Sequence, residues 1–155
     1  MYLDNKTIFL AGSTGMVGSS IMRYILDNYP TTRIRAVFRN TKPFIKHERV
    51  DYVCGDLLSR EDSRRMARGC DCAIMAAANT AGSKAITSKP WEQVNDNIIM
   101  NTHMLEAFHF ENVRRVVFIG SATLYQEFEG RIAEDNLDLN AEPHPVYLGV
   151  GWGFR

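Results

Sequence analysis

Lys6-Thr7-Ile8-Phe9-Leu10-Ala11-Gly12-Ser13-Thr14-Gly15-Met16-Val17-Gly18 is the stretch that decides the fold. A short apolar run ends in three glycines at three-residue spacing, and apolar residues then recur at helical intervals (Ile21, Ile25, Leu26). The pattern reads as strand, tight turn, helix. Gly12 lets the chain leave the strand, Gly15 lets the backbone approach a pyrophosphate, and Gly18 lets the helix pack close to the strand. A helix that begins there offers unpaired N–H groups and a positive dipole end to phosphates. The stretch is therefore expected to be a dinucleotide-binding loop in which Gly12, Ser13, Thr14, Gly15, Met16, Val17 and Gly18 surround the ligand. Glycine triplets also serve purely structural turns; the position between an apolar strand and an amphipathic helix is what makes this one specific.

Working outward, strand and helix patterns alternate. After a first helix from about Gly15 to Asn28, Tyr29-Pro30 breaks the pattern and Arg33–Phe38 reads as a second strand. Arg49–Cys54 is a third, ended by Gly55-Asp56. A polar helix runs from Arg60 to Arg68 and stops at Gly69. Cys72–Ala77 reads as a buried strand. Pro90 then opens a long helix with Trp91, Val94, Ile98, Leu105 and Phe108 at helical spacing, most simply a core face. Arg115–Gly120 is a fifth strand, continuous in apolar residues as a sheet buried on both faces requires. Gln126–Pro145 is acidic and turn-rich. Strands separated by helices with right-handed crossovers give a Rossmann-like, doubly wound parallel α/β sheet of about five strands in the order 3-2-1-4-5. The loops after Leu10, Phe38, Cys54, Ala76 and Ile119 all fall at the carboxyl ends of strands, where such sheets bind ligands.

The totals agree. At 155 residues the chain is long enough for one domain with a real core. Apolar content of 45% and charge of 23% are ordinary for a globular protein. Net charge is zero and there is no Lys/Arg block, so neither nucleic acid nor a membrane is expected as a partner. There is no membrane-spanning run and no signal-peptide pattern at the start, which makes cytoplasm the expected location. Cys54, Cys70 and Cys72 are an odd set without Cys-x-x-Cys pairing, and His47, His103, His109 and His144 are scattered; no metal site is expected.

These residues resemble the extended short-chain dehydrogenase/reductases, the NAD(P)-dependent epimerases and dehydratases that act on sugar nucleotides. The glycine loop is similar to the family's Gly-x-x-Gly-x-x-Gly. Gly55-Asp56-Leu57 resembles its Gly-Asp-(Leu/Val), where the carboxylate meets the adenine amino group. Ala76-Ala77-Ala78, followed by Gly82, resembles the Ala-rich loop after the fourth strand, and Asn97 stands where the family has an Asn in the next helix. Phe118-Ile119-Gly120-Ser121-Ala122-Thr123-Leu124-Tyr125 resembles the Ser-Ser-x-x-x-Tyr region. The resemblance implies that Asp56, Leu57, Ala76, Ala77, Ala78, Asn97 and Ile119 join the glycine loop around the cofactor. It implies a nucleoside-diphosphate sugar as substrate. It also implies that residues 1–155 are the dinucleotide-binding domain of a longer fold, whose C-terminal part and substrate domain are missing.

The implied chemistry is reversible hydride transfer. A Tyr acts as general acid/base, a Lys four residues on lowers its pKa, and a hydroxyl side chain holds the reacting oxygen. A tyrosine at its ordinary pKa of about 10 is a poor base at neutral pH and needs that cation. Ser121 fits the hydroxyl role, and Thr123 stands where one branch of the family has a Cys. Tyr147, preceded by Pro143-His144-Pro145-Val146, is the candidate acid/base. Here the sequence departs from the pattern, because position 151 is Gly and Arg155 is about 12 Å further along any helix.

Cofactor choice rests on the end of the second strand. NAD enzymes usually carry Asp or Glu there. This chain has Arg39 with Lys42 nearby, and a guanidinium fork suits a 2′-phosphate, so NADP is expected over NAD. Two readings stand side by side: an NAD(P)-dependent epimerase, dehydratase or reductase, and a non-catalytic dinucleotide-binding module. A homodimer through the Pro90–Glu111 helix is a further expectation.

Overall fold

The computed structural model describes residues 2–80, 88, 90–147 and 151. The chain divides into two compact units, Met1–Ala78 with Met100–Ile119, and Asn79–Ile99 with Gly120–Arg155.

The first unit holds β1 (Thr7–Ala11), α1 (Met16–Asn28), β2 (Arg33–Phe38), β3 (Val50–Cys54), α2 (Arg60–Ala67), β4 (Cys72–Met75) and β5 (Arg115–Phe118), with the later part of α3 (Pro90–Phe110). All pairings are parallel and the order is β3-β2-β1-β4-β5, as the sequence implies. The central strand shows why helices are needed on both faces. Side chains alternate along β1, so Ile8 and Leu10 enter one core with Met22, Ile25, Ile34 and Ala36. Phe9 and Ala11 enter another, with Met66, Met75, Met104 and Phe108. Phe9 and Phe108 meet edge to face, ring centroids 5.3 Å apart.

Local signals set the helix ends. Ser59 caps α2, its Oγ accepting from the Asp62 N–H. The last turn of α1 carries no basic residue. Arg49, just before β3, supplies the cation instead, donating to the carbonyls of Leu26, Tyr29 and Thr32.

Three expectations need correction. β4 ends at Met75 rather than Ala77, although the Ala76 N–H still donates to the Ala11 carbonyl. β5 is not covered on both faces: Arg115, Val116, Val117 and Phe118 are all exposed, and the strand lies at the sheet edge with β4 as its partner. The buried stripe of α3 is Met100, Met104, Ala107 and Phe108, while Trp91, Ile98 and Leu105 are exposed. Phe108 is buried as expected, whereas Met100, Met104 and Ala107 take the places expected of the exposed residues.

The second unit is mostly short turns, 3-10 segments at Ala122–Leu124, Glu134–Asn136 and Pro145–Tyr147. Gln126 organises it. Its backbone bridges Pro143, and its side chain donates to the Asn136 carbonyl and accepts from the Asp138 N–H. Gly82, residues 148–150 and residues 152–155 lie outside the described residues. Among the described residues, no helix is long and apolar enough to cross a membrane.

Candidate functional site

The glycine turn is built on contacts that leave no room for side chains. Gly12 has φ +73°, and a Cβ there would sit 2.5 Å from the Ala76 carbonyl oxygen and 2.8 Å from the Ala77 nitrogen. The β1–α1 turn thus lies directly on the chain leaving β4. A Cβ on Gly18 would come within 2.7 Å of the Gly12 carbonyl carbon. Gly15 is the N-cap of α1, and its N–H donates to the Gly12 carbonyl at 3.0 Å. No side chain caps this helix, and its first turn has no acid. The positive end of α1 therefore has no internal counter-charge. Gly15, Met16 and Val17 are exposed there, with Thr14 half-buried beside them. Ser13 differs. It is buried and its hydroxyl donates to the Val37 carbonyl at 2.8 Å, so it fastens the turn to β2.

Beside this turn lie the ends of β2 and β3. Arg39 Nη1 is 3.7 Å from Asp56 Oδ2, both side chains being well exposed. Asp56 Oδ1 accepts from the Leu58 N–H at 3.0 Å. The Gly55 N–H donates to the Phe38 carbonyl, which ties the Gly55-Asp56 turn to the strand that delivers Arg39. Leu57 is buried in the core, so it can face a ligand only through its backbone. Cys54 is exposed and its thiol faces the Arg39 carbonyl. Cys70 and Cys72 are buried, and burial pushes the Cys70 thiol up to about 11. Both of those thiols are packing residues.

Of the loop after β4, Ala76 and Ala77 are half-buried and Ala78 is exposed; Ile119, after β5, is exposed too. In the second unit, Asn97 clamps Asn79. Its Oδ1 accepts from the Asn79 N–H at 2.8 Å and its Nδ2 donates to the Asn79 carbonyl at 2.9 Å, while the Asn79 side chain reaches Asp96. Ser121 caps the Ala122–Leu124 turn. Its Oγ accepts from the Thr123 N–H at 3.3 Å and from the Thr123 hydroxyl at 2.9 Å. Tyr147 lies in the Pro145–Tyr147 turn, its N–H donating to the His144 carbonyl and its ring 5.9 Å from the His144 ring. Gly151 is buried, and a Cβ there would sit 2.5 Å from the Thr123 carbonyl oxygen.

Sequence reasoning missed Asn79, Asp62 and Arg65. The Ser59-x-x-Asp62 spacing was an available signal, because it is that of a capping box. Asp62 uses its carboxylate differently, accepting from the Asp56 N–H at 2.9 Å while Arg65 holds it at 2.6 Å. Arg65, and after it the Asp56 N–H, hold the Asp62 carboxyl below its ordinary value.

A sheet of this order has its ligand crevice at the switch beside β1. There the chain places a close-packed glycine turn, an uncapped helix start and an Arg–Asp pair. The model of the NAD dependent epimerase/dehydratase family matches residues 8–148, and the chain belongs to this family. It is 29% identical over 147 residues to a GDP-L-fucose synthase of Sinorhizobium fredii (strain NBRC 101917 / NGR234), covering 94% of this chain and 43% of that protein. The chain thus spans less than half the length of that relative. Among solved structures it is similar to a UDP-glucose 4-epimerase, with TM-score 0.77 and 19% identity over 96% of this chain and 45% of the other. It is also similar to a mutant uronate dehydrogenase of Agrobacterium tumefaciens complexed with NAD, with TM-score 0.74 and 21% identity over 96% of this chain and 52% of the other. Those two likenesses show the fold.

Proposed function

We propose that this chain is the dinucleotide-binding domain of an NADP(H)-preferring epimerase, dehydratase or reductase acting on a nucleoside-diphosphate sugar. The observation that carries the proposal is the glycine turn after β1, where α1 starts uncapped, with no acid in its first turn and with Gly15, Met16 and Val17 exposed. Gly12, Thr14, Gly15, Met16, Val17 and Gly18 would hold the pyrophosphate through backbone groups, with Ser13 bracing the turn. Asp56 and Arg39 would take the adenosine end, Arg39 reading a 2′-phosphate by paired hydrogen bonds. Ala76, Ala77, Ala78 and Ile119 would border the nicotinamide half. The name of the fucose synthase relative supports a nucleotide sugar as substrate.

A bound nicotinamide supplies a hydride donor or acceptor. The protein's part is proton management: Tyr147 would exchange a proton with the reacting sugar oxygen, Ser121 would hydrogen-bond that oxygen, and Thr123 would hold Ser121 in place. Against this, Gly151 stands where the pattern requires a cation. It favours a second reading, a module that binds the dinucleotide without turning it over.

Calorimetric titration with NADPH and with NADH tests the binding claim. Saturable binding, tighter for NADPH and with the preference removed in Arg39→Ala, is expected; no binding by folded protein would overturn it. Substrate-dependent change in nicotinamide absorbance, lost in Tyr147→Phe, separates the enzyme from the module. The exposed Trp91, Ile98 and Leu105, at seven-residue intervals on α3, support self-association through that helix. A concentration-independent monomer mass would dispose of it.

A further inference from the structure

We propose that Asp62, clamped by Arg65, is the positioning residue of the adenosine end, fixing Asp56 and through it Arg39, and so contributes to the choice between phosphorylated and unphosphorylated dinucleotide. The inference rests on the binding reading above and concerns residues that no motif assigns.

The geometry is a chain of four charged residues at one turn, Arg65, Asp62, Asp56 and Arg39. In a capping box the third helical residue returns its carboxylate to the N–H of the cap. Here the Ser59 N–H is already taken by the Asp56 carbonyl at 3.0 Å. Asp62 reaches past it to the Asp56 N–H at 2.9 Å. Arg65 fixes the other carboxylate oxygen at 2.6 Å, and the same nitrogen donates to the Cys54 carbonyl at 3.1 Å. The turn from Cys54 to Leu58 is thereby tied to α2 at Cys54 and Asp56. Gly55 completes the tie: a Cβ there would sit 2.6 Å from Met66 Sδ and 3.1 Å from Arg65 Nη2. Asp56, held at its own N–H, spends Oδ1 on the Leu58 N–H and turns Oδ2 toward Arg39.

Two consequences follow for ligand choice. Arg39 is an exposed, long side chain whose guanidinium is biased by one ion pair to Asp56. If Asp56 swings, Arg39 loses its guide and a 2′-phosphate loses a preorganised fork. Asp56 would at the same time lose its fixed aim at the adenine amino group, which both dinucleotides share. Releasing the clamp should therefore weaken both ligands and weaken NADPH more.

The test is calorimetric titration of NADPH and NADH against Asp62→Ala, Asp62→Asn and, as a control on the same helix, Arg64→Ala, which loses a pair to Glu111 remote from the turn. Asp62→Ala should lower NADPH affinity about tenfold and NADH affinity about threefold, and Arg64→Ala neither. Asp62→Asn keeps an acceptor for the Asp56 N–H and should fall between. Amide spectra of the ligand-free proteins give a second readout. The Asp56 and Leu58 resonances should move in Asp62→Ala, with melting temperatures recorded beside them. Equal losses for the two ligands would mean mere structural damage and would sink the inference, as would Asp56 and Leu58 resonances that stay in place. If wild-type protein binds neither ligand, the binding reading fails instead, and the amide shifts still report whether the clamp exists.

Discussion

Two glycines in this chain occupy equally crowded places and mean opposite things. Gly12 lies against the carbonyl of Ala76 in the first unit, and Gly151 lies against the carbonyl of Thr123 in the second. At Gly12 the crowding accompanies a positive φ and sits beside an uncapped helix start, whose positive end favours an anion. At Gly151 the crowding accompanies a place where the chemistry asks for a lysine. A glycine forced by close packing is therefore not a ligand signal in itself. What decides its meaning is the set of unpaired groups beside it. The first region keeps an uncapped helix start and the Arg39–Asp56 pair beside its crowded glycines. The second keeps the hydroxyls of Ser121 and Thr123 and the phenol of Tyr147, and it replaces the cation.

The sharpest way to break that contrast is at Gly18. Gly18→Ala pushes a methyl group against the Gly12 carbonyl, and overpacking of this kind costs about 1–3 kcal/mol. Binding of NADPH and NADH is expected to fall at least about a hundredfold, because the turn and the helix start would separate. Calorimetry with a thermal melt decides it. Undiminished binding would show that the turn is only structural.

Next in size is Gly151→Lys, the change that would rebuild the Tyr-x-x-x-Lys pattern. Its Cβ meets backbone at Thr123 and the ring of Pro143, neither of which yields like the end of a flexible side chain. The expected result is a loss of about 2 kcal/mol in the second unit and no gain in hydride transfer. Hydrogen exchange of Ser121–Thr123 and a nicotinamide absorbance assay read the two halves of that statement. A stable variant that gains turnover would erase the contrast between the regions and restore the enzyme reading.

The contrast also explains what the sequence could tell. The first unit was legible because its signals are local or periodic: the glycine spacing, the alternation of β1, and the Gly55-Asp56 ending of β3. Three features were not, and each depends on something that periodicity cannot carry. Leu105 and Met104 differ by one position on α3, and only the sheet beneath decides that Met104 is buried while Leu105 is exposed. Val116, Val117 and Phe118 read as a strand covered on both faces, but their exposure depends on what neighbours the sheet edge. Asp62 has a capping-box spacing, yet its carboxylate passes the cap to reach Asp56 because Ser59 is already occupied. In the second unit, the family resemblance gave Ser121 and Tyr147 as candidates. It could not show the Ser121–Thr123 hydroxyl pair or the carbonyl that blocks position 151.

A smaller effect is expected at Arg39. Its side chain is largely exposed and its pair with Asp56 is long, so truncation should leave stability nearly unchanged. Affinity for NADPH should fall about tenfold in Arg39→Ala, the loss of roughly 1.4 kcal/mol expected for one charge-assisted contact, while NADH affinity moves little. Equal affinities for NADPH and NADH in the wild type would remove Arg39 from the reading and leave the glycine turn intact.

The smallest expected effect is also the cleanest readout of the first region, because it needs no ligand. Arg65 and the Asp56 N–H hold the Asp62 carboxyl below its ordinary value. A carboxyl depressed in the fold stabilises it above the unfolded value of about 3.9, and the contribution disappears as pH falls through the folded value. The melting temperature of wild type should therefore exceed that of Asp62→Asn by a constant margin from about pH 8 to pH 5, and the margin should close below about pH 4. The pair is partly exposed, so the margin should be small, about 1–3 °C. Glu106, held low by Arg60, loses its own contribution in acid as well, but equally in both proteins, so the difference between them isolates Asp62. A margin that widens on acidification would mean that Asp62 is protonated in the fold, and a protonated carboxyl could not hold the Asp56 N–H and Arg65 together.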